Sequence, residues 1–224
     1  NGNIKNNYEI NGYLKRGQLS ILKKNSINDL NFIFNIKDKS ILLKDIEGIF
    51  NKIKLSAPSV IIIEKKNQFL VNGEFINKEK DINPKIFIKY FKNIFEENDI
   101  ENINFSSNNN FTFNLSKKLK ISNFNLKSKI NLNNFIYNKD LSNINKYFPD
   151  FKESLKLEDH VILIDYKKNK IDIKGKGKIF LESKADYISY EIKRRNDDYI
   201  FNTITNFDKS VIFLEILNYK KKKI

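Results

Sequence analysis

The chain has 224 residues, with 41 basic against 27 acidic side chains, a net charge of +14, no cysteine and a single histidine, His160. That length can bury one large β domain or two smaller units, and 40% hydrophobic with 13% aromatic residues lacks the signature of disorder. Disulfides, thiolate metal sites, cysteine nucleophiles and histidine clusters are all excluded.

Seven glycines and three prolines are few for a chain with many turns. Asn, Asp and Lys must supply most turn chemistry, which Asn can do because it tolerates the left-handed region. The lysines are spread along every segment beside abundant Asn and Ile, the mark of AT-rich codons more than of a selected polyanion surface. Only three arginines occur, Arg16, Arg194 and Arg195. Bidentate readers of phosphate and guanine are arginines, so nucleic-acid recognition is disfavoured. A start at Asn1 and the absence of methionine lead us to expect an excerpt from a longer protein. No run reaches the roughly 18 to 20 apolar residues that cross a bilayer as a helix, and no signal peptide is visible.

The first third reads as consecutive strands: residues 18–22, 31–36 and 40–46, with a turn at 37–39. Ile27, Leu30, Phe32, Phe34 and Ile36 form a mostly period-two set, which places one apolar row on one sheet face. Glu47 and Gly48 read as a break, 52–55 resumes the pattern, and Pro58 fits the start of an edge or a new strand. A strand–turn–strand unit follows, and it occurs twice. The first copy is 60–67 (VIIIEKKN) continued by 68–73 (QFLVNG). The second is 161–169 (VILIDYKKN) continued by 170–175 (KIDIKG), with one extra residue before the lysine pair.

Asn83 and Pro84 are a helix start signal, a capping side chain followed by a pre-set φ. Phe87, Phe91, Ile94 and Phe95 then fall at helical spacing, predicting an amphipathic helix over 83–98. Its stripe fits a helix packed over a sheet edge or end better than a docking helix. Short strands return at 102–105, 111–115, 119–121, 124–126, 129–132 and 135–137. Residues 141–148 read as a short helix or loop ended by Pro149. After the second repeat come strands at 178–181, 187–192 and 199–204, the last two joined by a turn at 193–197. Residues 210–219 fit helix or strand equally, and 220–223 a turn or end.

Little chemistry lies between these elements. Asp165 and Asp172 flank one turn and Asp197 and Asp198 lie in another, with no spacing that suggests the paired carboxylates of a glycosidase. His160 has no sequence partner. Gly175 and Gly177 lack the strand–loop–helix context of a phosphate cradle and fit bulge or close-approach positions. The serines have no nucleophile-elbow context. Phe111, Phe113, Phe124 and Phe135, interleaved with lysine, resemble a stacking platform for single strands. Period-two phenylalanines on an inner sheet face explain them better. An enzyme is disfavoured, and no metal or cofactor is expected.

Residues 17–20 (GQLS), 42–48 (LLKDIEG), 55–63 (LSAPSVIII) and 69–73 (FLVNG) resemble the AsmA-like superfamily, which includes the AsmA, TamB and YhdP envelope proteins. The resemblance is a degenerate pattern of short strands, an apolar-x-apolar-x-Gly ending and basic turns, and it covers most of the chain. It implies a repeating β-groove in a periplasmic protein anchored in the inner membrane, conducting phospholipids between inner and outer membranes.

These readings converge on a mainly β chain: an extended, curved antiparallel sheet with one or two short helices, divided into 1–82, a helical insertion at 83–98, and 99–224. A sandwich or barrel would seal the apolar face, and an open sheet would leave it as a trough. Candidate groove positions for phospholipid acyl chains are Phe32, Phe34, Ile61, Ile63, Phe69, Val71, Phe111, Phe113, Leu115, Ile162, Ile164, Ile171 and Ile173. A one-residue register error would invert any strand. The competing readings are a sealed structural or adhesive β repeat and a basic binding module.

Overall fold

A computed structural model describes residues 8–21, 25–78, 81–91, 95–138, 141–151 and 154–221. The fold is mainly β. Eleven strands form one antiparallel sheet in chain order, not closed into a barrel. They are β1 (Glu9–Ile21), β2 (Asn25–Lys37), β3 (Ser40–Phe50), β4 (Ile53–Glu64), β5 (Gln68–Asn77), β6 (Ile100–Ser116), β7 (Ile121–Tyr137), β8 (Leu155–Lys167), β9 (Lys170–Phe180), β10 (Asp186–Arg195) and β11 (Asp198–Asn206). A two-stranded sheet of β12 (Ile212–Leu214) and β13 (Tyr219–Lys221) follows. The one α-helix among the described residues, α1 (Pro84–Phe91), lies between β5 and β6 in the chain.

Asn and Asp shape the turns. Among the described residues, ten of the thirteen non-glycine residues with positive φ are Asn or Asp, and no glycine has positive φ. Some sit in hairpin turns, such as Asn51 and Asn169. Others, including Asp29, Asp45, Asn123 and Asp159, lie within strands. Near Asp29 the β2–β3 register shifts, as a bulge requires.

Several boundaries differ from the sequence expectation. Residues 102–115 and 119–137, read as six short strands, form two strands of 17 residues each. Residues 106–110 (SSNNN) contain neither Gly nor Pro to break the ladder, so the polar stretch continues it. Gly48 lies inside β3 and does not end it. Pro58 lies inside β4, where the β4–β5 register shifts between Ser56 and Val60. Its missing N–H therefore falls at a gap in the ladder. Leu22 of the first expected strand and Ile94 of the helical stripe lie outside the described residues.

The chain divides into two compact units. One comprises residues 1–79, 107–128 and 164–170, and the other 80–106, 129–163 and 171–224, so β6 to β9 contribute to both. In the first, a polar cluster is buried beside the apolar face. Asn109 donates to the Phe75 carbonyl and to Ser107 Oγ, and accepts from Ser128 Oγ at 2.7 Å.

In the second unit Asn83 caps α1, accepting the Lys85 N–H at its side chain (3.0 Å). Phe87 packs on Phe95, which meets Phe135 and Tyr137 edge-on. The helical segment thus packs on β7, but it is shorter than expected, and residues 95–98 are not helical. Residues 142–144 form a 3-10 turn, as do 215–217. The C-terminal stretch is held by two buried carboxylates. Asp186 accepts from the Lys209 and Ser210 N–H groups and from Ser210 Oγ, and Glu182 accepts the Val211 N–H.

Candidate functional site

Strand pairing in the first unit defines its two faces without reference to any pocket. Residues directly opposite in an antiparallel pair share a face. One cross-strand row runs Ile10, Ile36, Ile41, Ile62, Val71, Phe113 over β1 to β6, and every member is apolar. The adjacent row on the same face runs Gly12, Phe34, Leu43, Val60, Gly73, Phe111. Its two glycines are not gaps. A Cβ on Gly12 would collide with the Phe34 ring, and one on Gly73 would come within 2.7 Å of the Phe111 ring and 2.8 Å of Val60 Cγ2. Each glycine therefore lets a neighbouring aromatic lie across its strand.

The rings continue along this face as a chain of contacts. Phe75 meets Phe111, Phe111 stacks on Phe113 at 5.9 Å, Phe113 meets Phe124, and Phe124 meets Tyr166. Val71 is buried at 5% exposure, whereas Phe32, Phe34, Ile36, Leu43, Ile62, Phe111 and Phe113 remain half-buried. Six strands spaced about 4.8 Å apart make the two rows about 24 Å wide.

The opposite face is mixed. A row there reads Asn11, Asn35, Leu42, Ile61, Asn72, Thr112. Asn35 donates to Glu9 and Asn11, and Thr112 donates to Asn72.

Of the sequence candidates in this unit, Phe32, Phe34, Phe69, Val71, Phe111, Phe113 and Leu115 share the apolar face. Ile164 joins them by alternation with Tyr166. Ile61 and Ile63 do not. They pair with Leu42 and Asn72, and with Ser40 and Leu70, on the mixed face. The reason is local: residues 60–63 are apolar throughout, so periodicity carries no parity there. The face belongs to Val60 and Ile62, which the sequence candidates passed over with Ile10, Ile41 and Leu43, and Ile36, read from the sequence in one row with Phe32 and Phe34, lies on it too.

In the second unit, Ile162, Ile171 and Ile173 also share one face. A Cβ on Gly177 would meet the His160 ring, and one on Gly175 the Tyr190 ring. Alternation along β8 and β9 then places Ile162, Ile171 and Ile173 beside His160 and Gly175. All three isoleucines are half-buried.

His160 is the most chemically capable side chain here, and its surroundings give it a packing role. It is 1% exposed, with Nε2 2.9 Å from the Lys178 carbonyl and Nδ1 3.5 Å from Tyr190 Oη. A neutral imidazole donating from Nε2 and accepting at Nδ1 satisfies both contacts. Burial lowers its pKa below 6.5, against opposing effects from the Lys178 carbonyl and Asp159. Burial also raises the Tyr190 phenol above its ordinary value.

The reverse face of β9 and β10 is charged and internally paired. Arg195 binds Asp172 at 2.6 Å, and Glu191 lies between Lys174 (3.2 Å) and Lys193 (2.8 Å). Those two lysines hold the Glu191 carboxyl below its ordinary range. Asp172, read from the sequence as flanking a turn with Asp165, is thus an ion-pair partner. A shallow depression of about 400 Å³ on this face is lined by Val161, Leu163, Ser189 and Ile204 among others. Among the described residues no group of three His, Cys, Asp or Glu could hold a metal ion, and no helix is long and apolar enough to cross a membrane.

No protein-family model matches the chain, and no curated protein or solved structure matches it either.

Proposed function

We propose that the apolar face is a hydrophobic groove for phospholipid acyl chains, in a non-enzymatic segment of an AsmA-like protein of the periplasm. In this reading the parent protein moves phospholipid between inner and outer membranes. The observation that carries it is the pair of adjacent rows over β1 to β6, apolar apart from two ring-covered glycines, on a sheet that does not close. A sealed β core would bury such rows. Here most of their members keep part of their surface open, as an apolar ligand requires. Each methylene shielded there contributes about 0.8 kcal/mol, so a dozen contribute on the order of 10 kcal/mol towards leaving a bilayer. The mixed face, with Asn11, Asn35, Asn72 and Thr112, keeps the other side wetted.

Register supplies a matched control. The chain, produced with a periplasmic signal and extracted into organic solvent, should carry phospholipid detectable by mass spectrometry. Phe111→Asp with Phe113→Asp should lose it, and Ile61→Asp with Ile63→Asp, on the other face, should keep it. Circular dichroism checks that both variants fold. A folded wild-type chain without lipid would instead support a sealed structural or adhesive repeat.

A further inference from the structure

The sheet ends in two strands of opposite character. β1 carries the defences that keep sheet edges from pairing: its register with β2 shifts between Leu14 and Leu19, Arg16 has φ 55°, and Lys15 and Arg16 place charge at the bulge. β11 has none of these. Its register with β10 is unbroken over nine pairs, from Tyr187–Asn206 to Arg195–Asp198, and its other side has no strand neighbour among the described residues. Residues 199–205 (YIFNTIT) contain no charge, Gly or Pro. Their apolar side chains are open on both faces: Tyr199 54%, Ile200 54%, Phe201 66% and Ile204 71% exposed. A straight, uncharged, β-branched edge is a template for another strand.

The same segment is complementary to itself. Paired antiparallel about a two-fold axis at Asn202, Ile200 would face Ile204, Phe201 would face Thr203 and Tyr199 would face Thr205. Asp198, the only charge on the strand, would meet Asn206 and not a second carboxylate. Aromatic residues opposite β-branched ones and matched isoleucines are favourable cross-strand pairs, and a two-fold interface needs this self-complementarity. We propose that β11 is a homodimerisation edge, pairing antiparallel with β11 of a second copy in the register centred on Asn202. The ladder is about 30 Å long and sits at the small end of protein interfaces, so association should depend on concentration.

The absence of native cysteine permits a direct test on the full chain. Asn202→Cys should form a covalent dimer on mild oxidation, because residue 202 faces its own copy. Asn206→Cys, facing residue 198, should not. Sedimentation equilibrium should show a monomer–dimer equilibrium for the parent chain. Ile200→Lys with Ile204→Lys places lysine opposite lysine twice and should be monomeric. The matching Ile200→Glu with Ile204→Glu chain should also be monomeric, and an equal mixture of the two should dimerise again. These side chains are exposed, so circular dichroism should be unchanged in both variants. A parent chain that stays monomeric at all concentrations would overturn the proposal. So would equal cross-linking from Asn206→Cys, or a dimer that survives the lysine pair.

Discussion

The β4–β5 and β8–β9 hairpins share a tight lysine–asparagine turn: Lys66 and Asn67 in the first, closed by the Lys65 N–H donating to the Gln68 carbonyl at 2.7 Å, and Lys168 and Asn169 in the second. Their second strands correspond residue for residue: Gly73 lies beneath Phe111 of the following strand, and Gly175 beneath Tyr190 of its own. Their first strands do not. Tyr166 is the extra residue, and it occupies the position that Glu64 holds opposite Phe69. Counted from the turn, Ile162 is therefore the counterpart of Val60, not of Ile61, although alignment from the strand start matches it to Ile61. Side-chain facing is set by distance from the turn, because strand period is two and a one-residue offset inverts everything upstream. Beyond the shared glycine the hairpins part again. β5 continues with Phe75, whereas β9 has Gly177, over which His160 lies.

Deleting Tyr166 is the most forceful way to break the comparison. The change forces β8 either to expose His160, Ile162 and Ile164 on the wrong face or to rebuild its turn. We expect a loss of more than about 4 kcal/mol in urea denaturation, at the extreme of single-residue effects. A deletion that left stability intact would show that the turn, and not the register, absorbs the extra residue. Glycine substitutions give the next largest effects and rank the close approaches. At Gly177 an added methyl would come within 2.7 Å of the His160 Cα as well as striking the ring, and backbone cannot swing aside. Gly177→Ala should cost about 3 kcal/mol, as overpacking does when nothing yields. At Gly73 the obstacles are the outer atoms of Phe111 and a Val60 methyl, which can shift, so Gly73→Ala should cost about 1 kcal/mol. Thermal unfolding of the two variants side by side checks the order, which would be reversed if the Phe111 ring were the stiffer neighbour.

Legibility followed locality. Alternation and turn residues made the run of strands readable, and Asn83–Pro84 marked the helix start because a cap is a contact between near neighbours. The 17-residue strands were not readable, since Ser107, Asn109 and Ser128 look like loop residues until their mutual hydrogen bonds across strands are known. Residues 210–219 were ambiguous because Asp186 and Glu182, more than twenty positions upstream, hold the start of that stretch. The apolar face was half readable. Phe111, Phe113 and Leu115 alternate with polar residues and declare their parity, whereas 60–63 is apolar throughout. There only the partners Leu43 and Gly73 identify Val60 as inward.

The smallest expected effect sharpens the contrast at the far end of the hairpins, where one carries Phe75 and the other His160. A buried imidazole whose folded pKa lies below its unfolded value of 6.5 resists a proton that the unfolded chain accepts. Its contribution to stability is therefore fully present above pH 6.5 and is lost as pH falls through the lower folded pKa. Protonation would place a second N–H at Nδ1, facing Tyr190 Oη, where the neutral ring offers a lone pair. Asp159, paired with Lys178 at 2.8 Å, acts the other way and limits the shift without removing it. Urea midpoints measured from pH 7.5 down to 5 should fall for the parent chain below about 6.5. His160→Phe, which puts a phenylalanine over Gly177, should lack that increment of slope whatever its absolute stability, leaving only the carboxylate-driven decline at lower pH. Parallel curves for the two chains would mean that His160 takes up its proton as readily in the folded state as in the unfolded one, and that the Nε2 contact with Lys178 is made by an imidazolium.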